Sequence, residues 1–327
     1  MPNRVRRKRR RRNPARILLA VVLIAAAAYA GIHCLLFQKP QQVQAVEQLN
    51  EEEQNAEQAQ VDEEAEALRS HQERKADFYT ILVSGVDDGN GNSDTNILVA
   101  VDTAGGSIYG VSIPRDTKAV WNGKSHKINA AFGSGGIEKL ADVIGDQLGI
   151  PVDYTVQVDL KGFVALVDAI GGVDFDVPID MNYEDPYQDL YIHIPAGMQH
   201  LSGEEALKVV RFREGYASQD IARMETQQAF LKAVAQQTLQ VSNLTKVDQF
   251  VKIFQQYVET DLTLGNLAWL GSKAISIGAE NVAFSTLPGE WKSPYIYLNK
   301  EETLTLVNEH LNPYVEDRVA EDLNILD

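Results

Sequence analysis

Cysteine is almost absent from this sequence, and its scarcity removes several chemistries. The single residue, Cys34, allows no intrachain disulfide and no cysteine-based zinc site. The six histidines fall at no HExxH or related ligand spacing. Eleven prolines and 23 glycines in 327 residues are too few for a collagen-like chain. Positive charge is scarce beyond the first 16 residues. Those 16 hold nine of the 30 Lys and Arg, so the rest sets 21 bases against 46 acids. A body that acidic argues against nucleic acid as a partner. Apolar residues are plentiful, 44% of the chain, enough for a sizeable core.

The basic head, residues 1–16, precedes a 21-residue run, Ile17–Phe37, without charge and with one weakly polar residue, His33. A run of that length crosses a bilayer as a helix. The charge before it holds the N-terminus in the cytoplasm and sends the remainder outside. A cleaved signal peptide is the alternative, with Ala28-Tyr29-Ala30 as a small-x-small site; the apolar run continues to Phe37, which favours an anchor. Residues 38–77 are rich in Gln, Glu and Ala and contain no glycine. They read as a polar, partly helical stalk holding the body, residues 78–327, off the membrane.

The body opens with three strand-like runs, Tyr79–Val86, Thr95–Val101 and Ser107–Ile113, joined by short Gly/Asn/Asp-containing loops. Short connections imply antiparallel neighbours. The end of the first run, the start of the second and the end of the third then share one sheet edge. Asp87, Asp94 and the pair Arg115-Asp116 sit at those points. Carboxylates supply the hard oxygens that Mg²⁺ prefers, and Arg supplies a planar fork for phosphate oxygens. A solvated ion pair and turn acids are the structural alternative.

A second cluster lies at Arg211-Phe212-Arg213 and Asp220 to Gln227. Lys208 to Arg213 alternates about Val210 and Phe212, which predicts a strand with Arg211 and Arg213 on one face. From Asp220 to about Gln240 the spacing is helical, and Asp220, Arg223 and Gln227 share one face. Further on, Val247–Val258, Leu267–Ile277 and Glu301–Leu311 predict helices and Val282–Leu287 a strand turned by Pro288-Gly289.

Several ordered motifs in this body resemble the LytR–CpsA–Psr family of cell-wall glycopolymer transferases. They are Ser93-Asp94-Thr95, Ser112-Ile113-Pro114-Arg115-Asp116-Thr117, Lys127-Ile128-Asn129-Ala130-Ala131-Phe132, and Gly162-Phe163 through Val167-Asp168-Ala169-Ile170-Gly171-Gly172-Val173. Leu201-Ser202-Gly203 with Glu205, Arg211-Phe212-Arg213, and Asp220 with Arg223 and Gln227 complete the series, within residues 79–240. Asn92, Ala222 and Thr226 depart from the family pattern, which often has Arg, Gly and Arg there.

The resemblance implies a three-layer α/β/α sandwich around a mixed central sheet, on a single-span anchor, with the catalytic domain on the cell-wall side. It implies transfer of a glycopolymer from a polyprenyl-pyrophosphate carrier to a peptidoglycan hydroxyl, as a phosphodiester. Asp87 and Asp94 would hold Mg²⁺. Arg115, Lys127, Arg211, Arg213, Arg223 and Gln227 would surround the pyrophosphate, with Asp220 beside them in the catalytic set. Phe163, Val164, Leu166, Val167 and Ile170 would wall a lipid tunnel, where ordinary core packing is the plainer reading. A polyprenyl-pyrophosphate hydrolase and a non-catalytic regulator that binds lipid intermediates are the competing functions.

Overall fold

The computed structural model describes residues 37–43, 72–86, 93–187, 190–212, 219–239 and 247–325. The basic head, nearly all of the predicted span, the acidic stretch 44–71, Asp87 and Arg213 lie outside them. Among the described residues no helix is long and apolar enough to cross a membrane.

The strands are β1 (Phe78–Val86), β2 (Ser93–Asp102), β3 (Ser107–Ser112), β4 (Lys118–Trp121), β5 (Lys124–Lys127), β6 (Tyr154–Asp159), β7 (Val173–Val177), β8 (Met181–Asp185), β9 (Leu190–Ile194), β10 (Gly197–Leu201), β11 (Val258–Thr260), β12 (Val282–Thr286), β13 (Gly289–Lys292) and β14 (Tyr295–Leu298). The helices are α1 (Asn129–Leu148), α2 (Leu160–Ile170), α3 (Gly203–Arg211), α4 (Gln219–Thr238), α5 (Val247–Tyr257), α6 (Leu264–Ile277) and α7 (Lys300–Leu306).

The central sheet has six strands in the order β11-β6-β1-β2-β3-β12. It is mixed. β2 runs antiparallel to β1 and β3, as the short loops require, whereas β6 beside β1 and β12 beside β3 are parallel. Residues of β1 alternate between two cores. Phe78 and Leu82 join Leu98, Val111 and the α1 residues Leu140 and Ile144. Tyr79 and Ile81 join Val101 on the other face, against Trp269 and Leu270 of α6. Helices therefore cover both faces, which is why β1 is buried along most of its length. A third core gathers α2, α3 and α4 around the β7–β10 and β8–β9 ribbons, with Phe175, Phe212 and Phe230 at its centre.

Two sequence expectations change. Residues Lys208 to Arg211 end helix α3 instead of forming a strand. A capping box starts that helix: the Glu205 N–H donates to Ser202 Oγ, and the Glu205 carboxylate accepts from the Ser202 N–H at 2.9 Å. Lys208 and Arg211 then occupy its last turn, where cations suit the helix dipole. Period-two alternation over six residues was overridden by a cap six residues upstream.

The second change concerns the stalk. Residues 37–43 lie as a strap on the body. The Gln38 N–H donates to the Gly265 carbonyl at 3.1 Å, and Asn266 Nδ2 to the Gln38 carbonyl at 2.9 Å. The Tyr154 hydroxyl donates to the Gln41 carbonyl at 2.6 Å. Gln42 Nε2 donates to the carbonyls of Lys75 and Phe78. The strap ends on Asp153, whose side chain is fully buried. Its carboxylate accepts from the Val43 N–H at 2.9 Å, from Arg74 Nη2 at 2.8 Å and from the Thr80 N–H at 2.9 Å. Arg74 also donates to the Val43 carbonyl at 2.8 Å. Val43 and Arg74, on either side of residues 44–71, thus meet on one buried carboxylate. These contacts make residues 37–43 and 72–77 part of the body. The strap is held by polar bonds, so hydrophobic periodicity could not reveal it.

Candidate active site

The site forms where β1 ends, β2 begins and β3 and β12 end. Register fixes this edge: Gly85 pairs with Thr95 and Val86 with Ser93, so Asp94 is the extra residue of a β-bulge. Bulges kink a strand and redirect the residue they insert. Asp87 is the residue after Val86 and lies outside the described residues. Ser93 is fully buried, and among the described residues neither its hydroxyl nor Asn96 Nδ2 has a hydrogen-bond partner. Asn96 Oδ1 accepts from the Ser84 hydroxyl at 3.1 Å.

The residues at this edge suit Mg²⁺ by their chemistry. Asp94 in the bulge, next in sequence to a buried serine hydroxyl, and Asp87 next after β1 are hard-oxygen donors of the type the ion takes. The residues fit in kind and in place along the chain. Among the described residues no group of three acids, histidines or cysteines forms a ready-made metal cluster.

Arg115 sits in a tight turn directly after β3. The Thr117 N–H donates to the Pro114 carbonyl at 3.0 Å, closing the turn around Arg115 and Asp116. The Arg115 carbonyl accepts from the Asn129 N–H at 3.3 Å, so α1 begins against the same turn. Arg115 is half-buried. Lys127, at the end of β5, reaches back to it: its Nζ lies 2.8 Å from Asp116 Oδ1. That pair is partly exposed, so it fixes direction more than it stabilises.

Helix α4 reaches the same edge. β12 pairs with β3 through Thr286 and Ser112, and Gln228 Nε2 of α4 donates to Thr286 Oγ1 at 3.2 Å. Gln227, half-buried, is the next residue, and Arg223 and Asp220 lie earlier on the same helix. Arg211 is half-buried at the end of α3; Phe212 after it shares a core with Phe230 of α4. The structure therefore brings the elements bearing Arg115, Lys127 and Gln227 to one edge and packs the end of α3 against α4. Sequence reasoning missed Gln228, whose only signal is its place beside Gln227.

The apolar segment at 163–170 is helix α2, capped by the Asp159 carboxylate and ended by Gly171 at φ 97°. Val167 and Ile170 are buried in the third core, whereas Phe163, Val164 and Leu166 are half-buried. A cleft of about 360 Å³ opens at the opposite end of β3, lined by Asp102, Ser107, Tyr109 and His310, and is separate from this edge.

Comparison with known proteins places these observations. The model of the family described as LytR_cpsA_psr matches residues 39–313, a range that includes most of the strap. The polyisoprenyl-teichoic acid–peptidoglycan teichoic acid transferase TagV of Bacillus subtilis is 33% identical over 196 residues, 57% of this chain and 50% of that protein. The transferase TagU of Bacillus cereus is 37% identical over 194 residues, 58% of this chain and 62% of that protein. The aligned part is thus half to about three-fifths of these two relatives. The TagU of Halalkalibacterium halodurans is 30% identical over 252 residues, 73% of this chain and 80% of that protein. The crystal structure of Bacillus subtilis TagV superposes with a TM-score of 0.62 at 28% identity, over 74% of this chain and all of that one.

Proposed function

Because the chain belongs to the LytR–CpsA–Psr family, we propose that it transfers a glycopolymer from a polyprenyl-pyrophosphate carrier to a hydroxyl of peptidoglycan. The observation that supports the reading is the sheet edge shared by the ends of β3 and β12 and the β2 bulge, against which Gln228 of α4 bonds Thr286; Arg115, Gln227 and Asp94 follow or belong to these elements. The acceptor oxygen bonds to the phosphorus nearer the glycan. The bond from that phosphorus to the bridging oxygen breaks, and polyprenyl phosphate leaves with the electron pair. The hydroxyl proton passes to a site carboxylate, for which Asp220 is the candidate.

Arg115, Arg211, Arg213 and Arg223 hold the pyrophosphate and stabilise charge on the leaving group, with Lys127 and Gln227 orienting it. Asp87 and Asp94 are the residues that would hold Mg²⁺. When bound, the ion supplies neutralisation of the phosphate oxygens. Phe163, Val164 and Leu166 give the polyprenyl chain an apolar approach. Ile17–Phe37 anchors the chain, with the N-terminus cytoplasmic and the body on the cell-wall side, next to a membrane-borne donor.

The test uses the full chain in membranes with a polyprenyl-pyrophosphate-linked oligosaccharide, with and without peptidoglycan. A phosphodiester-linked product that requires peptidoglycan is expected. Release of free phosphorylated oligosaccharide at the same rate without acceptor would make the chain a hydrolase. Arg115→Lys should lower turnover at least about tenfold, since Lys keeps the charge and loses the bidentate fork.

A further inference from the structure

Helix α6 lies at the surface with the composition of a buried helix. Its 14 residues, Leu264–Ile277, carry one charge, Lys273. The inner side is accounted for. Trp269 and Leu270 pack on Tyr79, Ile81 and Val101, with the Tyr79 and Trp269 ring centres 5.7 Å apart. Lys273 lies over the same side, its Nζ 5.3 Å from the centre of the Trp269 ring. Helical spacing puts Leu264, Ala268, Gly271 and Ile275 on the other side, with Leu267 and Ala274 beside them. Leu264 is 43% exposed, and a Cβ added at Gly271 would meet nothing within 4 Å, so at both places this side is open among the described residues. A helix facing water normally carries charged or polar residues there.

The strap decides what this side meets. Phe37 ends the apolar run Ile17–Phe37, and Gln38 follows it at once. The Gln38 N–H donates to the Gly265 carbonyl at 3.1 Å, and its carbonyl accepts from Asn266 Nδ2 at 2.9 Å. A Cβ at Gly265 would stand 3.0 Å from Gln38 Cβ, so strap and helix are in direct contact. Gln38 thus sits on the first turn of α6 with no spacer after the run. In the anchored topology that turn is at the membrane boundary, next to the exposed Leu264.

We propose that the outward side of α6 lies in the headgroup layer of the bilayer, as an interfacial helix that fixes the orientation of the body on the membrane. The proposal rests on the anchor reading above. About 20 Å of helix with an uncharged, largely apolar side can seat in that layer by apolar contact. A free protein of net charge −16 would be repelled by anionic lipid. Attachment through Gln38 makes the contact intramolecular, so a weak one is sufficient. The place where the apolar run ends selects the bilayer over a second copy of the chain.

The experiment places the full chain in phosphatidylglycerol–phosphatidylethanolamine vesicles, with Cys34→Ser as background. An environment-sensitive fluorophore is attached at Gly271→Cys on the outward side or, as control, at Met198→Cys on β10, where Met198 is 71% exposed. Doxyl-labelled lipid should quench the Gly271→Cys label at least about twofold more than the Met198→Cys label, and iodide should show the reverse order. Leu264→Glu, in a first turn where an acid suits the helix dipole, should move the Gly271→Cys label back towards water with circular dichroism unchanged. Equal iodide quenching of the two labels overturns the proposal. So does shielding of the Gly271→Cys label from both quenchers, which would assign this side to a second copy or to another segment of the chain. Alkaline extraction is run on the same vesicles. A retained chain with its Gly271→Cys label in water sinks this proposal alone. An extracted chain whose label was in lipid before extraction sinks the anchor reading alone.

Discussion

Glu205 shows how one carboxylate helps to place Arg211, a candidate site residue, at the end of α3. The Ser202 hydroxyl and then the Ser202 N–H donate to it, and together they hold its carboxyl below the ordinary Glu value. A lowered folded-state value means that this stabilisation is complete above the unfolded-state pKa and fades as pH falls through the folded one. Ser202→Ala should therefore cost about 1 kcal/mol at neutral pH. In urea melts the gap from wild type should narrow as pH falls below the ordinary Glu value, about 4.3, and further as Glu205 protonates in the folded state as well. A gap independent of pH would mean that the capping box does not depend on the Glu205 charge. At this scale some of the site was legible and some was not. Arg115 follows a strand and a proline, so its position at a turn could be read. Asp153 could not, because its partners Val43, Arg74 and Thr80 are 110, 79 and 73 residues away in sequence.

Local pattern served the elements well where one face decides. The strand-like runs that predict β1 to β3 reflect burial against different cores on the two faces, and their antiparallel order followed from loop length alone. The same reasoning failed at Lys208 to Arg211, where a capping box governed the segment. Helix crossings lie beyond any local pattern. The Gly203 N–H donates to Asp168 Oδ1 at 2.8 Å, and a Cβ at Gly203 would collide with the Val164 backbone carbonyl. Backbone cannot yield as a side-chain tip can. Gly203→Ala should lower stability by about 1–3 kcal/mol, read as a shift in denaturant midpoint. It should also disturb α3, which carries Arg211. An unchanged midpoint would show that α2 and α3 can separate without loss.

For the whole molecule, the family match beginning at residue 39 agrees with the docked strap and places the start of the fold well before β1. A specific protease site inserted between residues 44 and 71 tests the strap directly. In membrane fractions of the full chain, cleavage severs the covalent link between strap and body. The body should nevertheless stay with the membrane, held through Asp153. Adding Asp153→Ala should release it, because loss of one partner of a buried ion pair costs about 3–5 kcal/mol. Prompt release of the cleaved wild type would show that the strap does not hold. The meeting of Val43 with Arg74 also sets a working height. Val43 and Arg74 bond to each other and to Asp153, so the sequence between them does not lengthen the path from strap to body. In the topology proposed above, with Ile17–Phe37 in the bilayer, the body would rest at the lipid surface, and the strands within its reach would be newly made ones still close to the membrane, not those of the mature outer wall.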